Sequence, residues 1–498
     1  MGNAPRIVVT GASGFLGRRV VKLFRHQHHV IAIDRRTRDE TSVSALANVE
    51  WHSVDIADAD AIAATFERIK KEGGAKAILH LAAWYDFTGR DHLEYTRTNV
   101  EGTRILLERA ETLGVERFVF ASSVAACAFS TPGHPITETS PPEAEHVYGR
   151  SKRAGEALVR SWPKLPTAIV RFGALYSDWC EYPPLYVFLD TWLSRHWNRN
   201  ILGGKGRTSA PYLHVRDAAE CLLAVVAKGR DVEPAEVFLA APDGAVSHHQ
   251  LFAAATAYAE RQARKPLLVP RSLAAIGMRA RDLLGRLTGR RPFEQPWMAK
   301  YLDTELAVDA TRTRARLGWA PHPRLDVLRR IPFLVENKRA SPVEWMARNR
   351  DVMEPEVPVY YRIYRLLEKY FDEIEAAYQR TLGAGPASTR SAADEDERRW
   401  SSRVILRNLL HAVRTGQRAS FMQFARDAAL RRAQQGFPAE ELVRSLHALD
   451  RICIDTLRDD VEGALLGPAL REQISVAIDF GVDRVLEVYD DAAAGAWR

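Results

Sequence analysis

Apolar runs and helical spacings alternate along the first two-thirds of the chain. Ile7, Val8 and Val9 form a continuous apolar run, the pattern of a strand buried on both faces. The stretch "FLGRRVVKLFRHQ" follows, with apolar residues at Phe15, Leu16, Val20, Leu23 and Phe24, which is helical spacing. A second apolar strand, "HHVIAIDRR", ends at Asp34, and "VEWHSVDIAD" gives a third ending at Asp55 and Ile56. "AKAILHLAA" is a fourth, "LEYTRTNVEGTRILLERAETLG" a helix and "VERFVFASSVAA" a fifth strand. Strands alternating with helices of this length predict an α/β fold with a parallel, doubly wound sheet of Rossmann type. A small second lobe is expected mainly within 175–210 and 240–325.

From about residue 331 the alternation stops. "PVYYRIYRLLEKYFDEIEAAYQRTL" is strongly amphipathic, and "GAGPASTRSAADEDE" (383–397) reads as a linker. Four further helical runs with short connections predict an all-α bundle over 398–498. The expected organisation is therefore 1–330 as the α/β unit, 331–397 helical connector and linker, and 398–498 bundle.

Composition narrows the class. Of 498 residues, 46% are hydrophobic and 27% charged, as in ordinary globular proteins. The four cysteines are dispersed, which predicts no disulfide framework, no metal centre and a cytoplasmic setting. No apolar run is long enough to cross a membrane. The net charge of +7 is mild for this length, and no basic stripe points to nucleic acid.

The candidate chemistry lies where the strands end. Gly11, Gly14 and Gly17 sit at a strand-to-helix turn, where glycine permits close backbone approach and a helix N-terminus favours pyrophosphate. Ser13, Phe15 and Leu16 belong to the same loop. Asp34, at the end of the next strand, is placed to accept hydrogen bonds from an adenosine ribose, which argues for NAD. Arg35 and Arg36 follow directly and keep NADP open. Ser122 and Ser123 end the fifth strand, and "VYGRSKRAGEAL" places Tyr148 and Lys152 on one helix face. A phenol beside an ammonium, with a serine hydroxyl near by, makes a proton relay for a carbinol or carbonyl.

These motifs, with "HLAA", "TNVEGT", "RFGALYS" and "YLHVRDAAE", make residues 1 to about 325 resemble the extended short-chain dehydrogenase/reductase family, also called the NAD-dependent epimerase/dehydratase family. The resemblance implies Tyr148 as general acid/base, Lys152 as its partner and Ser123 as the second hydroxyl, with Asn99 supporting the site. It also implies that Asp55 and Ile56 flank adenine, and that Leu81, Ala82, Ala83 and Ser122 line the cofactor. Arg171, Gly173 and Ala174 would belong to the loop beside nicotinamide.

For the substrate, Val124 and Ala125 follow Ser123 where sugar dehydratases of the family carry an Asp-Glu pair, which argues against dehydration. The arginine that usually anchors a nucleotide diphosphate is replaced by Ala210-Pro211 before Tyr212, with Arg207 the nearest basic residue. Trp84, Tyr85, Phe87, Val124, Phe129 and Tyr182 are candidates for an apolar substrate pocket. The favoured reading is oxidation or reduction of a secondary alcohol or ketone on a hydroxysteroid- or flavonol-like molecule. A nucleotide-sugar epimerase is the alternative, and an NAD(P)-sensing regulatory protein a second one.

Two segments bear on partners. In 270–292, Leu273, Ile276, Leu283, Leu284 and Leu287 lie at amphipathic spacing with six arginines mostly on the other face. The preferred reading is a core-facing helix with a solvated basic face; peripheral docking on an anionic membrane is its alternative. The run "FARDAALRRAQQGFPAEELVRSLHALD" resembles the helical sensor domains of stressosome proteins, which implies a signalling or oligomerisation module. A homodimer is expected.

Overall fold

The computed structural model describes residues 4–38, 46–86, 89–163, 165–288, 292–353, 359–383, 392–415 and 418–493. The chain divides into two compact units, Met1–Pro355 and Glu356–Arg498.

The first unit is built on a seven-stranded parallel sheet. In chain order its strands are β1 (Arg6–Thr10), β2 (His29–Asp34), β3 (Val49–Ser53), β4 (Ala77–His80), β5 (Arg117–Ser123), β6 (Thr167–Phe172) and a final strand, Glu236–Ala240. In space the order is Glu236–Ala240, β6, β5, β4, β1, β2, β3. The chain reverses direction across the sheet between β1 and β4, so a crevice opens beyond their carboxyl ends. Helices cover both faces, and the alternating side chains feed two cores. Ile7, Val9, Val30 and Val170 belong to one, and Val8, Ile31, Ile78 and Ile169 to the other. This two-sided burial explains the unbroken apolar runs.

Five helices frame the carboxyl ends of these strands: α1 (Phe15–Phe24), α2 (Ala59–Lys71), α3 (Leu93–Thr96), α4 (Gly102–Leu113) and α5 (Val147–Arg160). Between α3 and α4 the helix widens into a π turn over Arg97–Glu101. Such a turn inserts one residue into the helical register and re-aims a side chain, here Asn99.

Helix α5 is fastened to the sheet by a buried ion pair. Arg171 on β6 donates from Nε to Glu156 Oε1 and from a terminal nitrogen to Oε2, both at 2.8 Å. Both side chains are fully buried. Ser122 on β5 donates to the same Glu156 Oε1 at 2.7 Å. A second terminal nitrogen of Arg171 donates to the Ser140 carbonyl at 2.7 Å. Gly155 lets the helix lie close, because a Cβ there would meet Phe120 Cζ at 2.4 Å.

The expected connector over 331–397 is split between the units. The helix Val327–Ala340 buries Ile331, Leu334 and Val335 with Leu189, Trp192 and Phe252 of the first unit. The helices Val359–Lys369 and Phe371–Gly383 instead bury Ile363, Leu367 and Ile374 with Leu409, Phe421 and Leu449 of the second. The bundle core therefore begins before residue 398. Most of the expected linker, 384–391, lies outside the described residues, and the helix Ala392–Thr415 starts within the rest of it. In the second unit Gly481 sits against Phe421, where a Cβ would come within 2.7 Å of the ring. That absence of a side chain lets Ala419–Gln434 and Val476–Ala493 pack closely.

The helix Arg271–Thr288 departs from the preferred expectation. It turns Leu273, Ile276, Leu283 and Leu284 to the surface and buries Asp282.

Glu156→Gln keeps the shape of the tie but leaves Arg171 charged and buried. Loss of stability by about 3–5 kcal/mol is expected in chemical denaturation, the cost of stranding one partner of a buried pair.

Candidate active site

The glycine loop links β1 to α1. Gly11 has φ +68°, and a Cβ there would stand 2.7 Å from the Ala82 backbone. A Cβ on Gly17 would lie 2.0 Å from the Gly11 carbonyl oxygen. These positions admit only glycine, and the first-turn amides of α1, at Phe15 and Leu16, lack intrahelical partners. The space and the donors fit a dinucleotide pyrophosphate. Beneath the loop, buried His80 bridges Thr10 and Thr103 at 2.9 Å on either side. Burial lowers its pKa to about 3, with the Lys152 charge adding to the effect, so the imidazole is a neutral strut.

Asp34 is buried at the end of β2. It accepts from the Ser13 amide at 2.8 Å and from the Arg36 amide at 3.1 Å. The Arg36 guanidinium donates to the Ser13 hydroxyl at 2.6 Å. A ribose acceptor and a cation suited to a 2′-phosphate thus stand side by side. Arg35 lies over the Trp84 ring, 5.9 Å from its centre. Asp55 is buried and accepts from Arg97 at 2.8 Å. Ile56 packs against Gly102 in the core, so its side chain serves the fold. Leu81 and Ala82 are half-buried beside the loop and Ala83 is exposed.

Tyr148 and Lys152 occupy α5, as the spacing predicts, and face the end of β5. The Lys152 ammonium is buried, donates to the Ala121 carbonyl at 2.8 Å and lies 5.8 Å from the Tyr148 ring centre. Desolvation pulls its pKa down to about 8, against an opposing pull from Glu156. Desolvation pushes the Tyr148 phenol up to about 12, and a hydrogen bond with Ser123 offsets part of this. Ser123 Oγ is held by the Ala125 amide at 3.1 Å. Asn99 clamps the post-β4 loop: it accepts from the Trp84 amide at 2.6 Å and donates to the Trp84 carbonyl at 2.9 Å. It also donates to Ser151, the neighbour of Lys152, at 3.1 Å. Asn99 is therefore a positioning residue, one step removed from the relay.

Three expected side chains are used elsewhere. Arg171 and Ser122 are committed to Glu156 inside the fold, because a buried guanidinium needs its carboxylate. Val124 packs in a small core with Cys127 and Ile136. Gly173 and Ala174 contribute backbone: a Cβ on Gly173 would meet the Pro211 carbonyl oxygen at 2.3 Å, and the Ala174 amide donates to that oxygen.

Beside Tyr148 opens a cavity of about 490 Å³. Tyr85, Phe129 and Tyr182 line it, and the Tyr85 ring lies 4.1 Å from that of Tyr148. Trp84 does not line it; its ring is buried and stacks on His92 at 5.1 Å. Phe87 lies outside the described residues. Much of the wall comes from positions the sequence did not single out: Phe188, Trp192, Trp297, Met298 and Tyr301. They come from the segments 183–202 and 269–306, inside the expected lobe.

Among the described residues one potential metal-ligand group gathers, Asp217, Glu220 and His322. It lies outside the cavity wall. There Asp217 accepts from the His322 ring at 2.6 Å and from its amide at 3.1 Å, tying a loop to a helix. No helix among the described residues is long and apolar enough to cross a membrane.

Parts of this chain are similar to known proteins. The mouse dTDP-D-glucose 4,6-dehydratase is 28% identical over 248 residues, 47% of this chain and 67% of that protein. Sterol demethylase protein B of Methylococcus capsulatus is 31% identical over 183 residues, 36% of this chain and 54% of that protein. The crystal structure of UDP-glucose 4-epimerase from Thermotoga maritima with UDP-glucose shares the fold, with a TM-score of 0.51 at 22% identity. The match covers 68% of this chain and 99% of that one. Residues 365–498 match the model of the RsbT co-antagonist protein rsbRD N-terminal domain. Residues 7–241 match the model of the NAD dependent epimerase/dehydratase family, over the stretch that carries the glycine loop, the Tyr148–Lys152 pair and the parallel sheet.

Proposed function

We propose that the first unit is an NAD-dependent oxidoreductase acting on a secondary alcohol or ketone of an apolar, ring-bearing small molecule. The observation that carries this reading is the wall of the cavity beside Tyr148, which is mainly aromatic and aliphatic. A pocket of this size and lining suits a compact apolar ligand. A nucleotide diphosphate would require cations, and the one arginine among the described residues of the wall, Arg281, lies 3.4 Å from Glu294. Arg207 is not part of the wall.

The dinucleotide, when bound, supplies the hydride donor or acceptor. The residues of the chain handle the proton. In ketone reduction the Tyr148 phenol, protonated at neutral pH, donates to the carbonyl oxygen while Ser123 holds that oxygen. The Lys152 ammonium stabilises the phenolate left behind. In alcohol oxidation the same groups work in reverse. The buried surroundings strengthen each interaction by excluding water.

A nucleotide-sugar substrate is the second reading, favoured by the likeness to the dTDP-D-glucose 4,6-dehydratase. The second unit is proposed as a regulatory or interaction module, on its match to the rsbRD-type domain.

Tyr148→Phe is expected to lower turnover by about 10²–10⁴-fold with dinucleotide binding retained, read by steady-state rates and cofactor titration. Unchanged turnover would remove the catalytic assignment. The reduction rate should hold below pH 8 and fall above it, because Lys152 loses its charge near pH 8. In Lys152→Met the rate should be low and that alkaline fall absent. For the substrate, the protein should reduce or oxidise apolar cyclic compounds and exchange its dinucleotide freely. Turnover of a dTDP- or UDP-sugar, with nicotinamide nucleotide retained through purification, would replace this reading with the second one.

A further inference from the structure

The helix Arg271–Thr288 is amphipathic in the opposite sense to an ordinary surface helix. At 3.6 residues per turn, Leu273, Ile276, Ala280, Leu283 and Leu284 fall within an arc of about 100°. The four large side chains of that arc are 58%, 59%, 61% and 60% exposed in sequence order. Asp282, the one acidic residue of the helix, points the other way and is buried. Exposed Arg279 flanks the apolar arc on one side, and exposed Arg281, paired with Glu294 at 3.4 Å, on the other. Just before the helix, Leu267 and Leu268 on the short strand Leu267–Val269 are exposed as well. A contiguous apolar surface of this kind calls for a partner.

The same surface borders the cavity. Leu273 and Trp197 both line it and are largely exposed, Trp197 at 83%. They therefore stand at its rim. The inner side of the helix, through Ala274, Gly277 and Met278, forms part of the cavity wall.

We infer that this face docks on an anionic lipid bilayer, with the leucines in the acyl boundary and the arginines among the headgroups. Charge decides the occupant. A protein partner would not require an apolar stripe bracketed by arginines, whereas an anionic interface rewards both features together. Docking would open the rim of the cavity onto the bilayer, a route for an apolar substrate; this last step rests on the function proposed above, while the docking does not.

The test is flotation of the full chain with vesicles of phosphatidylcholine alone and of phosphatidylcholine mixed with phosphatidylglycerol. The wild type should float with the mixed vesicles, less so at high salt because screening weakens the arginine contribution. Ile276→Glu/Leu283→Glu replaces no residue of the cavity wall. It should lower the bound fraction at least about tenfold with the melting temperature and dinucleotide titration unchanged. Arg279→Glu, a milder change, should weaken binding to mixed vesicles only. Absence of flotation, or equal flotation of the double variant, overturns the proposal. So does an oligomer in light scattering that the double variant dissolves while vesicles bind neither form, since the face would then join two copies of the chain. None of these readouts needs turnover, so a wrong substrate class leaves the docking result intact.

Discussion

One carboxylate holds the reacting end of the first unit in register. Glu156 lies one helical turn beyond Lys152 and receives hydrogen bonds from Ser122 on β5 and Arg171 on β6. Two neighbouring strands and the helix that carries Tyr148 are thereby joined at a single buried point. A lone buried carboxylate or guanidinium would be costly, but the pair with its extra donors is satisfied. The tie does not touch substrate. It fixes α5 laterally, so the phenol, the ammonium and the Ser123 hydroxyl keep their separation. Its charge also reaches Lys152, where it opposes the desolvation that would otherwise neutralise the amine further.

Two more devices act on the same geometry from other directions. The π turn aims Asn99 at the loop after β4 and at Ser151 on α5. The neutral His80 strut joins β1, β4 and α4 below the glycine loop. Each replaces side-chain freedom with hydrogen bonds inside a low-dielectric setting, where such bonds are strong and their loss expensive. The site is thus preorganised by polar groups that lie behind it.

The glycine loop, the parallel sheet and the Tyr148–Lys152 spacing were legible in the sequence because each depends on local backbone geometry. Glycine at a positive φ, apolar runs buried on both faces and an i, i+4 pair announce themselves within a few residues. Arg171 was assigned to the nicotinamide loop through the family resemblance alone, and no local pattern disclosed its buried partner Glu156, which lies on a different element. The pocket wall was only partly visible: its aromatics come from segments that meet through tertiary folding. The helix Arg271–Thr288 shows the sharpest limit. Periodicity located its apolar face but carried no information about which side the rest of the unit would occupy. The boundary near residue 355 was hidden for a related reason, since the chain is helical on both sides of it and the pattern does not say which core each helix joins.

The indoles of Trp192, Trp197 and Trp297 stand in the cavity wall. Reduced nicotinamide absorbs in the near-ultraviolet band where indole emits. A wall built this way therefore makes the pocket its own optical reporter. Excitation of the protein would be passed to a reduced dinucleotide held near Tyr148, and its blue emission would record occupancy and redox state in real time, without any label.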